Sequence, residues 1–175
     1  MSSINVTDAP SERKCDVSAD DFRHALGHFA TGITVISTLD GQGKPYGATV
    51  SSFASLSLAP PLIQWSLTTT SYSYPIFSQA THFAVNILAS DQEDVSRIFC
   101  KPLDRFAHVD SLEGVEGLPL VVGCLGWIEC VREREVEAGD HTIFIGRVLR
   151  TRIAEKSPLL HWRGAYHPLE VGALS

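Results

Sequence analysis

The side chains of this sequence best suited to chemistry are hydroxyls rather than acids or thiols. The stretch from Gly47 to Leu67, GATVSSFASLSLAPPLIQWSL, joins two apolar runs through Thr49, Ser51 and Ser52. Between Gly47 and Ser52 only Val50 is bulky, so a flat ligand could approach the backbone and take hydrogen bonds from its amides. On residue types alone the same pattern also describes a polar-edged hairpin of an ordinary β-barrel. A second hydroxyl run, Thr68, Thr69, Thr70, Ser71 and Ser73, precedes a short helical stretch with Pro75 in its first turn. Hydroxyls and free amides at such a start can hold an anion or simply cap the helix. Arg105 lies in a segment rich in Gly, Asp and Pro, open either to a phosphate or to a surface salt bridge with Asp104 or Glu113. His141 follows the Gly139–Asp140 turn at the mouth of a strand.

Other chemistries find no support in the spacing. There is no G-x-S-x-G, no Cys/His pair recognisable by spacing and no paired-carboxylate motif. Gly41, Gly43 and Gly47 are spaced G-x-G-x-x-x-G ahead of a strand, which fails the dinucleotide fingerprint in both spacing and context. His24 and His28, four apart, fall on one helix face without a third ligand, so a solvated face is expected and no metal. Cys15, Cys100, Cys124 and Cys130 form no C-x-x-C pair, which suits reduced thiols in a cytosol. A net charge of −6 with no long basic run disfavours nucleic acid. The longest apolar stretch, Pro119 to Ile128, is too short and glycine-interrupted to span a membrane. Residues 1–17 read as a disordered tail without a secretory h-region, and 18–175 as a single domain.

These side chains need elements to position them. Ser18 with Asp20 and Asp21 opens a helix whose Phe22, Ala25, Leu26 and Phe29 give one buried stripe. Ile33, Val35 and Leu39 then alternate as a strand, and Asp40–Gly43 turns the chain into the hydroxyl stretch. Pro60–Pro61 makes a turn before a buried strand from Leu62 to Leu67. Phe83–Leu88 reads as another buried strand. Ser90 to Glu93 matches a capping box for a helix through Phe99. Two long alternating runs, Leu120–Val136 and His141–Ile153, flank a hairpin turn at Glu137–Asp140. Ser157–Pro158 starts a last short helix, and Trp162–Leu169 forms a closing tail. Many strand candidates with few helices give a mainly β fold, a small antiparallel barrel with peripheral helices.

Five segments in order, FRHALGHFATGIT from Phe22, TVSSFASLSLAPPL from Thr49, FAVNIL from Phe83, Asp104–Arg105–Phe106 and GDHTIFIGRV from Gly139, resemble the flavin reductase family. These are short-chain NAD(P)H-dependent reductases that often supply reduced flavin to two-component monooxygenases. The resemblance implies an antiparallel split β-barrel, the FMN-binding split barrel, usually a homodimer with flavin near the subunit interface. It implies FMN or FAD as cofactor and NADH or NADPH as hydride donor. It places Thr49, Val50, Ser51, Ser52, Phe53, Ser66, Leu67, Ser71, Tyr74 and Arg105 around the flavin, and His141 beside the nicotinamide. The expected function is an NAD(P)H:flavin oxidoreductase of the cytoplasm, with a transient partner monooxygenase. Reduction of another acceptor, such as a corrinoid, and passive electron carriage are the alternatives. Many relatives carry Cys and Asn in the strand that here reads Gln64–Leu67.

Overall fold

The structure, a computed structural model, describes residues 17–102 and 104–169. The expected tail therefore lies outside the described residues except for Val17. Helix α1 (Ala19–Gly27) is capped as the sequence predicts: Ser18 Oγ accepts the Asp21 amide at 3.1 Å, with Asp20 and Asp21 in the first turn. Strands β1 (Thr31–Gly32), β2 (Thr34–Leu39), β3 (Pro45–Val50), β4 (Ala54–Leu58) and β5 (Pro61–Thr68) follow, then the single turn α2 (Tyr74–Phe77), β6 (His82–Ile87) and α3 (Glu93–Phe99). A 3-10 turn at Arg105–His108 leads to β7 (Ser111–Glu113) and β8 (Pro119–Val121). The chain ends with β9 (Gly126–Ala138), β10 (His141–Ile153), β11 (Leu159–Trp162) and β12 (Ala165–Pro168).

Seven strands form one antiparallel sheet in the order β3-β2-β6-β9-β10-β5-β4. Its two outermost strands, β3 and β4, are consecutive in sequence and joined only by Ser51, Ser52 and Phe53. Four backbone steps reach about 14 Å. A flat sheet would hold those edges six spacings apart, roughly 29 Å. The sheet must therefore curl until its edges meet, and a seam forms where β3 approaches β5. Inside the curl, Trp65 stacks on Phe144 at 4.6 Å between ring centroids and meets Phe77 and Phe83 edge-on at 5.0 and 5.6 Å. Ile36, Val85 and Cys130 belong to the same core. This is the mainly β, split-barrel architecture expected, with few helices.

Four expectations differ from the structure. The stripe on α1 is not buried: Phe22 and Leu26 are 57 % exposed and Phe29 75 %. The helix is held at its C-terminal end instead, where Gly27 O accepts the Arg163 amide and His28 O the Trp162 indole N–H. The helix expected to start at Ser157–Pro158 does not form; the chain runs instead into strand β11, and Ala165–Pro168 of the closing tail is strand β12. Leu159 donates to Leu88 O and accepts from Ile33 N, so the pairing of distant strands overrides the Ser-Pro helix signal. Ser90 does not cap α3, because its amide is spent on Ser157 O; Gln92 sits at the cap and its side chain ties Ala89 N to Val122 O. The first long run divides into β8 and β9 at a loop through Gly123, whose φ of +84° suits glycine.

One carboxylate is sealed into β9. Glu129 is fully buried and receives both Arg150 hydrogen bonds and the Val115 amide, with Arg152 Nη2 at 3.5 Å. Burial pushes its pKa up, but the Arg150 and Val115 bonds and the two guanidinium charges outweigh that and hold it below the usual carboxylate range.

Candidate functional site

A shallow recess of about 260 Å3 opens at the seam, lined by Thr49, Val50, Ser51, Ser52, Ser66, Leu67, Thr68 and His141. Seven of the residues singled out in the sequence thus share one surface. Three elements bring them there. The end of β3 runs into the Ser51–Phe53 link, which lies beyond the strand pairing of β3 and β4, and the end of β5 lies alongside. The β5–β10 register sets Thr142 opposite Leu67 and His141 opposite Thr68.

The hydroxyls divide by task. Ser52 Oγ donates to Ser66 O at 3.0 Å and accepts from Ser66 N at 2.9 Å, so one side chain makes the bonds a neighbouring strand would make and stitches the seam. Thr49 Oγ1 donates to Ser96 O at 2.8 Å and ties β3 to α3. The Ser51 and Ser66 hydroxyls bond to no described residue and remain for a ligand. Thr68 Oγ1 and Thr69 Oγ1 each donate to Asp140 O at 3.2 Å, joined there by the Thr69 amide at 3.0 Å. That carbonyl fixes the β9–β10 turn against the end of β5. Asp140 Oδ1 in turn lies 2.7 Å from His141 Nδ1. The bond from His141, its charge and the residue's own amide hold the Asp140 carboxyl below its ordinary pKa.

Four other expected residues lie outside the recess lining. Phe53 packs against the barrel core. Tyr74 turns its hydroxyl to Thr142 Oγ1 at 3.0 Å and packs its ring near Phe144. Ser71 Oγ accepts from the Ser73 amide. Arg105 is buried, and neither salt bridge weighed for it forms: Asp104 pairs with Lys44 at 3.0 Å. The guanidinium donates to Lys101 O, to Gly47 O and to Ser73 Oγ, clasping the hydroxyl loop to β3. Burial pulls its pKa down from the usual arginine value. It also lines a separate cavity of about 200 Å3 with Lys44, Tyr46, Tyr72 and Phe106. Gly47 is a packing glycine, since a Cβ there would lie 2.5 Å from the Phe99 ring. The recess therefore offers free hydroxyls, a short unpaired peptide link, two apolar side chains and one imidazole. That set suits a planar heteroaromatic whose edge alternates carbonyl and N–H groups. No cluster of three metal-ligating side chains occurs among the described residues.

Residues 26–170 match the family model described as "Flavin reductase like domain". The chain belongs to the flavin reductase family. It is 44 % identical over 145 residues to the FMN reductase (NADH) SmoA of Agrobacterium fabrum, covering 83 % of each chain. It is also 44 % identical over 147 residues to the reductase component of the flavin-dependent trigonelline monooxygenase of Acinetobacter baylyi, covering 83 % of this chain. It spans about half, 47 %, of that relative's length. Among solved structures, flavin reductase PheA2 superposes with a TM-score of 0.81 at 39 % identity, over 89 % of this chain and all of that one. The NADH:FAD oxidoreductase SgcE6 of Streptomyces globisporus gives 0.83 at 33 % identity, over 88 % and 94 %.

Sequence reasoning missed three participants in this flavin reductase fold's recess. Thr68 lines it, and the clamp on the Asp140 carbonyl uses Thr68 and Thr69, which the sequence offered only as members of a hydroxyl run. Asp140 read as a turn residue; its place next to His141 was the available signal.

Proposed function

We propose that this chain is an NADH-dependent flavin oxidoreductase that supplies reduced FMN or FAD to a partner monooxygenase. The observation that carries the reading is the gathering of Thr49–Ser52, Ser66, Leu67 and His141 on one recess. Ser51, Ser66 and the amides of the 51–53 link would hold the polar edge of the ring, and Val50 and Leu67 its face. Bound flavin supplies the two-electron chemistry; the chain supplies binding, orientation and access. His141, at the rim, orients the hydride donor. Arg105 contributes charge along β3 toward the flavin phosphate while its N–H groups hold the loop. The names of the relatives support NADH as donor and an oxygenase as recipient.

The same reading takes the chain, from residue 18 onward, as one flavin reductase-like unit acting in the cytoplasm as a homodimer. The exposed stripe of α1 and the unpaired outer edge of β4, with Leu56 and Leu58 open, support a second copy. Sedimentation should give a species near twice 19.1 kDa; a fully active monomer refutes the dimer. Free Cys100, Cys124 and Cys130 fit a reducing compartment. The deciding experiment is anaerobic stopped-flow reduction of FMN and FAD by NADH and NADPH. His141→Ala should slow reduction on the order of 100-fold, because positioning of donor against acceptor is so sensitive, while flavin affinity changes little. If neither nucleotide reduces either flavin in the parent, the reading is wrong.

A further inference from the structure

The turn that carries His141 is fixed from two sides by one residue. The Asp140 carbonyl takes three hydrogen bonds from Thr68 and Thr69, and its carboxylate meets His141 Nδ1 at 2.7 Å. An ionised carboxylate only accepts, so Nδ1 must carry the proton of that bond. The depressed Asp140 pKa keeps the carboxylate ionised at neutral pH. In neutral His141 the proton on Nδ1 leaves Nε2 as a bare lone pair on the ring that lines the recess.

We propose that Asp140 is a positioning residue that locks His141 in its Nδ1–H tautomer, so that Nε2 accepts a hydrogen bond from the carboxamide N–H of the reduced nicotinamide. The proposal rests on the reading of the recess as a hydride-transfer site and adds the atom and the direction of the bond. The ring's other surroundings do not compete for it. Its cross-strand neighbours, Thr68 on β5 and Ala138 on β9, are uncharged. Glu137, one step from Ala138, projects from the opposite face of β9. With Asp140 as the adjoining charge, the tautomer is set by a single carboxylate.

Two measurements test this. In protein labelled with 15N-histidine and free of flavin, His141 should show the Nδ1–H tautomer in the parent and lose it in Asp140→Asn, whose amide can donate to Nδ1. Asp140 is 86 % exposed and its carbonyl clamp survives the substitution, so the variant keeps the fold. The second measurement compares NADH with reduced 3-acetylpyridine adenine dinucleotide, whose acetyl group has no N–H. The parent's preference for NADH, taken as a ratio of reduction rates, should shrink about five- to tenfold in both Asp140→Asn and His141→Ala, the worth of one neutral hydrogen bond. An Nε2–H tautomer in the parent, or an unchanged donor ratio in Asp140→Asn, overturns the proposal. Absence of any reduction by NADH in the parent would instead refute the hydride-transfer reading, leaving the tautomer measurement to judge Asp140.

Discussion

Replacing Ser52 with alanine separates the seam from the ligand. The Ser52 hydroxyl both donates to and accepts from the backbone of Ser66, at 3.0 and 2.9 Å, on the side of β5 that faces β3. Each neutral hydrogen bond contributes about 1 kcal/mol net, and a buried group left without a partner costs more. Ser66 is half-buried, so water can reach part of what is lost. The loss should therefore be about 1–2 kcal/mol. For a chain of this size, 1 kcal/mol lowers Tm by about 2–4 °C, so the expected drop is roughly 2–8 °C. The comparison is Ser51→Ala, next along the link, whose hydroxyl bonds to no described residue. Thermal unfolding followed by circular dichroism without flavin should show the drop for Ser52→Ala and almost none for Ser51→Ala. Flavin titration should rank the pair the other way, with Ser51→Ala losing the larger share of affinity through direct contact. Equal Tm values within about 1 °C would refute the stitch.

Glu129→Gln removes a buried carboxylate's ion pair but keeps its shape; since Arg150 is 44 % exposed and can turn to water, the cost should be about 2–3 kcal/mol, below that of a fully buried pair, and measurable by urea unfolding. The folded Glu129 pKa lies below the ordinary 4.5, so its contribution is fully present above about pH 4.5 and is lost as pH falls through the folded value; the acid limb of the parent's stability profile should be steeper than that of Glu129→Gln, and parallel limbs would remove Glu129 from the account. Arg105→Lys keeps the charge but cannot reach Lys101 O, Gly47 O and Ser73 Oγ together, so Tm should fall several degrees in the flavin-free protein; unchanged stability with weakened flavin binding would mean that the arginine serves the ligand alone.

Local signals were read well where the physics is local. The Ser18 cap, the turn at Gly139 and the hairpin pairing of β9 with β10 all rest on neighbours in sequence, and the structure has them in place. The hydroxyl stretch and His141 also proved to share a surface. What the sequence could not yield depends on partners far along the chain. Leu159 forms a strand because Ile33 and Leu88 stand ready to pair with it. Arg105 is a clasp because three acceptors from separate segments converge on it. Phe22, Leu26 and Phe29 carry the spacing of a buried stripe, but spacing does not say whether the cover comes from the same chain. The bonds from Ser52 to the Ser66 backbone depend on a residue across the seam, which nothing in the sequence reveals.

That seam has a bearing on when the protein becomes able to bind anything. The recess draws on the end of β3, the end of β5 and the start of β10, and β5 meets β10 only across a long loop of intervening chain. Pairings of this kind cost loop-closure entropy before they return stabilisation, so they form slowly. A chain with its hairpins made and its edges apart has no recess. Flavin therefore selects the finished barrel and adds about 2.7 kcal/mol when present at 100 times its Kd. Coming after the slow step, it should retard unfolding and raise the yield of refolded protein without hastening refolding.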